Sequence, residues 1–345
     1  MSLQSTFDHL LPLIEDDLQQ VVRLPHHSLA PYYGMMRYHL GWVDEELRPI
    51  QSNSGKRLRP LLCLLACEAA GGDAEQALPA ASALELVHNF SLVHDDIQDA
   101  SHFRRGRRAA WDIWGTAHGI NVGDGLFVLA RLALNRLVEQ DVPLARQHAA
   151  SMALDQACLA LCEGQYFDMT FEDSLDVDLD QYQWMIRHKT AALLAASLQL
   201  GAIVATEDAE EINHYYRFGE HLGMAFQIQD DILGAWGDPE VTGKSAATDI
   251  RDKKKTLPVV YALTHSDLAA ARQLADLYAH EGSLESSGIE TVLELLEGLG
   301  ARQYSEEMAE RFYQQALESL NQTRSRNAAK SYLRELAASL LGRAA

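Results

Sequence analysis

With 345 residues, 47% of them hydrophobic, and only 9 prolines, the chain has enough apolar material for a large folded core, which excludes intrinsic disorder. Its 29 lysines and arginines against 49 aspartates and glutamates leave a formal net charge of −20. That excludes nucleic-acid binding over the general surface and makes any local basic cluster informative.

The opening MSLQSTFDHLLPLIEDDLQQVV lacks the basic start and apolar run of a signal peptide. The longest apolar stretches, such as LLCLLACEAA at 61–70, fall short of the roughly 18–20 residues that span a membrane, so the expectation is a cytoplasmic protein without stable membrane insertion. Apolar residues recur at helical spacing over 5–22, 36–48, 56–70 and 76–100, then over 122–139, 144–168, 179–204 and 208–235. The same spacing continues over 256–280, 287–299, 302–320 and 325–342. Segments 23–34, 71–76, 172–180 and 237–249 have loop composition, and no alternating strand pattern or fixed-period repeat appears. These features predict an all-α fold, a single helical domain over 1–345, with N-terminal helices in 1–50, a core in 51–265 and C-terminal helices in 266–345. Cys63 and Cys67, like Cys158 and Cys162, are four apart and read as small buried side chains rather than zinc ligands.

Chemistry concentrates in SLVHDDIQDASHFRRGRR, residues 91–108. Asp95 and Asp99 lie one helical turn apart on one face, where like charges weaken a helix. They also fall near a helix C-terminus, where the dipole opposes anions, so local stability does not explain them. Hard divalent cations do, because Mg²⁺ prefers carboxylate oxygens. Asp96 points about 100° away and is the weaker ligand. A second pair, Asp230 and Asp231 in FQIQDDILGAWGD, also follows a long apolar helix. Mg²⁺ seldom has an all-protein cage and is completed by water and phosphate oxygens, so the acid pairs imply a phosphorylated ligand. Arg104, Arg105, Arg107 and Arg108, with GKRLRP (55–60), RHKT (187–190), Lys244 and RDKKKTLP (251–258), then become candidate phosphate grips. TGKS at 242–245 is not a P-loop, because Asp238 stands where that motif needs glycine and no strand precedes it. His94-Asp95 suggests a His-Asp phosphohydrolase only if His88 and His118 join it.

In order, GKRLRP, LVHNFSLVHDDIQDASHFRRG, GDGLF, EGQYFD, RHKTAALL, GMAFQIQDDILGAWGDPEVTGK and TDIRDKKKTLPVV resemble the trans-isoprenyl diphosphate synthases of the polyprenyl synthetase family. The match runs from residue 55 to about 260. The resemblance implies one large helical bundle around a central apolar cavity, commonly a homodimer, with 51–265 as the catalytic core. It implies head-to-tail condensation of isopentenyl diphosphate with dimethylallyl, geranyl or farnesyl diphosphate, using roughly three Mg²⁺ ions once substrates are bound. By the same resemblance Asp95 and Asp99, supported by Asp96, hold metal, and Asp230 holds the remainder with Asp231 nearby. Lys56, Arg59, His88 and Arg105 take the isopentenyl diphosphate. Arg104, Lys189, Lys244 and Lys254 take the allylic diphosphate, and Thr190 and Gln227 lie near the developing cation. Gly234 stands where members often carry a third acid, leaving Asp230, Asp231 and Asp249 to complete that metal shell.

By the same resemblance the growing product meets its early wall just upstream of the first motif, where Phe90 and Ser91 lie five and four residues before Asp95. A large residue followed by a small one resembles enzymes making the twenty-carbon geranylgeranyl product; farnesyl or longer products are the alternatives. A terpene cyclase fits less well, because the second motif is DDILG and an isopentenyl-binding GKRLRP is present. A non-catalytic partner subunit fits less well again, because Asp95, Asp99, Arg104, Arg105 and Asp230 are all retained.

Overall fold

The computed structural model describes residues 3–50, 55–172, 174–237, 247–265, 268–280 and 282–342. The chain runs through α1 (Leu3–Val21), α2 (Ala30–His39), α3 (Leu58–Ala69), α4 (Leu78–Gln98), α5 (Ala110–Trp114) and α6 (Thr116–Asn135). Then follow α7 (Leu144–Glu172), α8 (Leu179–Ile186), α9 (Ala192–Ala205) and α10 (Ala209–Trp236). Shorter and longer helices complete it at Thr248–Arg251, Leu257–Leu263, Ala269–Ala279, Ser286–Gly298, Ala301–Gln322 and Ala328–Leu340. Among the described residues the only sheet is one hairpin of β1 (Phe103–Arg104) and β2 (Arg107–Arg108). The fold is therefore all-α, as expected.

The structure departs from the sequence reading at several points. A helix was expected over 36–48, but α2 occupies Ala30–His39, with Pro31 at the start. Proline suits a first helical turn, so the segment that looked like a loop begins a helix. The 256–280 pattern is two helices, one ending at Leu263 and the next starting at Ala269. The hairpin had no strand pattern to announce it. Its loop, Arg105-Gly106, has φ of 54° and 75°, the doubly left-handed turn that closes two-residue hairpins.

The helices form two compact units, both discontinuous in sequence. The first comprises Met1–Gln156, Ala196–Tyr215 and Thr323–Leu333; the second comprises Ala157–Ala195, Tyr216–Gln322 and Arg334–Ala345. Boundaries fall inside α7, α9 and α10, so continuous helices serve both units.

In the first unit α4 is the central helix. Every residue from Pro79 to Val87 is buried, so this half has no solvent face. It packs against α6 above all, and against α3 and α1. Full burial of Leu84, Leu86 and Val87 is worth about 1.5–3 kcal/mol each. Approach is close: a Cβ on Gly123 of α6 would stand 2.2 Å from His94 Nε2, so glycine leaves room for the His94 ring between α6 and the acid end of α4. The GKRLRP segment is anchored through Arg57, which is 3% exposed. Its guanidinium donates from Nε to Glu15 at 2.5 Å, from Nη1 to Glu85 at 2.8 Å and from Nη2 to the Leu40 carbonyl at 3.3 Å. This ties α1, α4 and the end of α2 to the basic motif.

In the second unit Leu257–Leu263 packs on Ala301–Gln322, Ala269–Ala279 and α8. Ile250, Val259, Leu274, Val292 and Leu296 form its apolar centre. Arg187–Ala191 is a π-helical turn between α8 and α9, a local widening that often marks a functional site. The continuous helical run Leu179–Ala205 is, by length and composition, apolar enough to cross a membrane, contrary to the expectation that no run qualifies. Its apolar window is 67% buried in the protein, which is the pattern of a core helix. Cys63, Cys67 and Cys158 are buried as expected, but Cys162 is exposed, and none of the four forms a disulfide.

Replacing Arg57 with methionine strands Glu85 in the core. We expect a loss of about 3–5 kcal/mol in urea unfolding, part of it recovered by adding Glu85→Gln. An unchanged midpoint would show that the ion pair anchors nothing.

Candidate active site

The last turn of α4 splits its acids between two environments. Asp96 is 1% exposed, and burial pushes its carboxyl up to about 6 despite the adjacent guanidinium. Arg104, on β1, contacts Asp96 Oδ1 at 2.7 Å through Nε and at 2.5 Å through Nη2. Its Nη2 also donates to Asp95 Oδ2 at 3.2 Å. Asp95 is partly exposed and Asp99, the helix cap, is exposed. Asp96, expected to support the metal, therefore serves as the inward anchor of Arg104. Its Oδ2 is buried without a partner.

The same unit brings a basic cluster together. A Cβ on Gly55 would stand 3.1 Å from the Arg105 guanidinium carbon, so glycine lets that side chain lie on the GKRLRP backbone. Arg59 has a buried Nε without a partner, and burial pulls its guanidinium down to about 10, with Arg105 pushing the same way. His88 is held well below the usual imidazole range by burial, then by Arg59 and Arg105. It is therefore neutral. Lys56 is exposed beside them. Arg107 and Arg108, candidate phosphate grips that the family resemblance leaves without a role, have structural partners. Arg107 donates to the carbonyls of Tyr38 at 3.1 Å and Val43 at 2.6 Å; Arg108 pairs with Asp112 at 2.6 Å.

Phe90 packs on Phe127 of α6 with ring centroids 5.0 Å apart, and on His94 at 5.5 Å. Ser91 spends its hydroxyl on the His88 carbonyl at 2.8 Å. The sequence reading missed Phe127, although it lies in the GDGLF stretch.

In the second unit, glycines shape the RHKT turn. A Cβ on Gly164 would lie 2.1 Å from the Lys189 nitrogen, and one on Gly223 would lie 2.5 Å from Ala191 Cα. Helices α7 and α10 thus close on the π-turn. Lys189 Nζ pairs with Asp168 of EGQYFD. Thr190 donates to Gln227 Oε1 at 2.7 Å, and Gln227 donates to Asp231 Oδ1 at 2.9 Å. Asp231 Oδ2 accepts from the Tyr182 hydroxyl and from the Leu257 amide at 2.8 Å. Asp231 is 4% exposed, and burial pushes it up to about 7 against the lowering effect of those bonds. Both its oxygens are engaged inward, so this expected metal residue braces the site. Asp230, the preceding residue, is partly exposed.

At Gly234, one turn beyond Asp230, a Cβ would meet Asp249 Oδ2 at 2.0 Å. The Asp249 carboxylate therefore occupies the space that a third acid of the motif would enter. Lys254 is exposed on its turn, and its backbone amide bonds the Asp249 carbonyl at 2.9 Å. Lys244 lies outside the described residues. Among the described residues no three acid, histidine or cysteine groups form a closed metal cage. Mg²⁺ does not require one, since a pair of carboxylates with water and phosphate oxygens suffices. The donor chemistry of Asp95 and Asp99 fits that ion, and the buried Arg59 nitrogen fits an anion.

Residues 41–296 match the polyprenyl synthetase family. The chain is 42% identical over 286 residues, 82% of this chain and 78% of the relative, to the (2E,6E)-farnesyl diphosphate synthase of Mycobacterium tuberculosis. It is 40% identical over 290 residues, 84% of this chain and 81% of the relative, to the geranylgeranyl diphosphate synthase of the same organism. A solved polyprenyl synthetase from Streptomyces coelicolor superposes with a TM-score of 0.90 at 32% identity, covering 98% of this chain and 99% of that one. The fold and the paired acids define a helical isoprenoid synthase. The chain belongs to the polyprenyl synthetase family and is a prenyltransferase.

Gly164→Val forces a side chain into the Lys189 backbone. We expect a loss of about 1–3 kcal/mol in thermal or denaturant unfolding. Gly298→Ala is the control, since nothing stands within 4 Å of a Cβ there. Equal stability of the two variants would contradict the close packing.

Proposed function

We propose that the chain joins isopentenyl diphosphate head-to-tail to an allylic diphosphate, with Mg²⁺ as cofactor, and releases a longer trans-prenyl diphosphate. The observation that carries this reading is the basic cluster of the first unit, where Arg59 and His88 converge on Arg105 beside an acid pair. Separate sites for an anion and for metal are what two diphosphate substrates require. The relatives named farnesyl and geranylgeranyl diphosphate synthase support the same reaction.

Lys56, Arg59, His88 and Arg105 hold the isopentenyl diphosphate. Arg104, Lys189, Lys244 and Lys254 hold the allylic diphosphate. Asp95 and Asp99 carry metal in the first unit, and Asp230, joined by Asp249, does so in the second. Asp96 and Asp231 hold the surrounding side chains. Bound Mg²⁺ supplies positive charge where negative charge builds on the leaving diphosphate. The cationic side chains add to that stabilisation as the allylic C–O bond breaks. Thr190 and Gln227 present oxygen dipoles toward the allylic cation, with the Gln227 amide fixed by Asp231. Apolar walls exclude the water that would quench the cation. The isopentenyl double bond attacks, and the departing diphosphate takes the proton, so no protein nucleophile is needed.

Phe90, backed by Phe127, forms the floor that stops growth at the twenty-carbon product, while Ser91 leaves space beside it. The chain acts as a cytoplasmic homodimer. Ile120, Val128 and Leu132 of α6, with Leu144, expose apolar side chains that a second copy would cover.

Purified protein given labelled isopentenyl diphosphate, farnesyl diphosphate and Mg²⁺ should yield the twenty-carbon diphosphate and inorganic diphosphate. Phe90→Ala should lengthen it, and Asp95→Ala should slow turnover by orders of magnitude. No product from any allylic primer would reject the function, and an unchanged product from Phe90→Ala would reject only the floor. Sedimentation equilibrium should give twice the chain mass, whereas a single-chain mass contradicts the dimer.

A further inference from the structure

His39 has no role in the reading above, yet its backbone is fixed on both sides. Arg107 grips the carbonyls of Tyr38 and Val43 and lies over the Tyr38 ring at 4.0 Å. Tyr38 donates its hydroxyl to the Arg108 carbonyl at 2.8 Å, and Arg57 reaches the Leu40 carbonyl at 3.3 Å. A segment held this firmly presents one side chain in one place. With Gly41, Arg104 and Arg105, His39 lines a cavity of about 20 Å³, room for a single water.

The imidazole Nε2 is buried and has no hydrogen-bond partner. Leaving a buried nitrogen unpaired is costly, so a partner is expected when the site is in use. The surroundings state its chemistry. Burial, then Arg105, Arg104, Arg107 and Arg57, pull the His39 imidazole down to about 3, so the ring is neutral. Guanidinium groups only donate. In the tautomer with its proton on Nε2, the imidazole among them lacks an acceptor, and an anionic oxygen supplies one to the ring and the guanidiniums together. His88 is held neutral in the same way and has His39 and Arg105 among its electrostatic neighbours. Two neutral imidazoles add donors to an arginine cluster without adding like-charge repulsion.

We propose that His39 is a further binding residue for the isopentenyl diphosphate, donating Nε2–H to a phosphate oxygen directly or through one bound water. The proposal rests on the assignment of Lys56, Arg59, His88 and Arg105 to that diphosphate. It adds a member from α2, outside every motif that carried the assignment.

The test separates the two claims. Binding of isopentenyl diphosphate to the full chain is measured by calorimetry, alongside KM for each substrate and kcat. His39→Phe keeps a ring and removes the donor. We expect its Kd and KM for isopentenyl diphosphate to rise about tenfold, with kcat and the allylic KM within about twofold. His39→Gln, which restores an N–H donor, should recover most of the loss. Unchanged affinity in a folded His39→Phe protein overturns the proposal, and so does a loss that His39→Gln does not rescue. Should His39→Phe unfold, as read from its thermal midpoint, His39→Leu is measured for the same split. Unchanged isopentenyl diphosphate affinity in Arg59→Ala and Arg105→Ala instead overturns the underlying site assignment, whatever His39 does.

Discussion

The first acid motif depends on one buried ion pair, Asp96 with Arg104. A carboxylate that is 1% exposed must have a cation or lose its charge. Arg104 supplies the cation from the hairpin that follows α4, and its second contact, to Asp95, sets the outer acid beside it. The hairpin is thereby folded back on the helix that carries the motif. Arg105, the next residue, is aimed at GKRLRP, and Arg107 clamps α2. Remove the pair and the acids, the basic cluster and the end of α2 lose their common reference.

The second motif follows the same logic. Neighbouring residues on a helix point about 100° apart, so an aspartate pair divides into an outward and an inward acid. Asp231 turns inward to Tyr182, Gln227 and the Leu257 amide. Asp230 keeps the outward position. Asp249 lies over Gly234, so that glycine is read as making room for an acid from another part of the chain rather than as a missing ligand. Each aspartate pair in this protein thus divides into one outward acid and one inward strut, and on the proposed reading only the outward acid holds metal.

Much of this was legible in the chain. Helical periodicity gave the all-α class, and the one-turn spacing of Asp95 and Asp99 marked the acid face without coordinates. That Asp96 faces away from Asp95 and Asp99 was visible too, from its angle on the helix. What was not legible depended on long-range partners. Nothing local says that Arg57 is buried between Glu15 and Glu85 while Lys56 beside it is exposed. The hairpin escaped because two-residue strands carry no alternation. Tyr182, Phe127 and His39 look like ordinary helix residues until their neighbours from distant segments are known. The boundary at α2 differs because 23–34 has loop composition, yet Pro31 in it sits in the first turn of a helix.

The central claim is the division between outward acids that hold metal and inward acids that hold the protein. Its most direct test is calorimetric binding of a non-reactive allylic diphosphate analogue, with and without Mg²⁺, to Asp95→Asn and Asp96→Asn. The account predicts that Asp95→Asn abolishes the Mg²⁺-dependent gain in affinity at unchanged stability. Asp96→Asn should retain most of that gain and unfold more easily. The reverse order, with Asp96→Asn losing the Mg²⁺ effect and Asp95→Asn keeping it, would contradict the account.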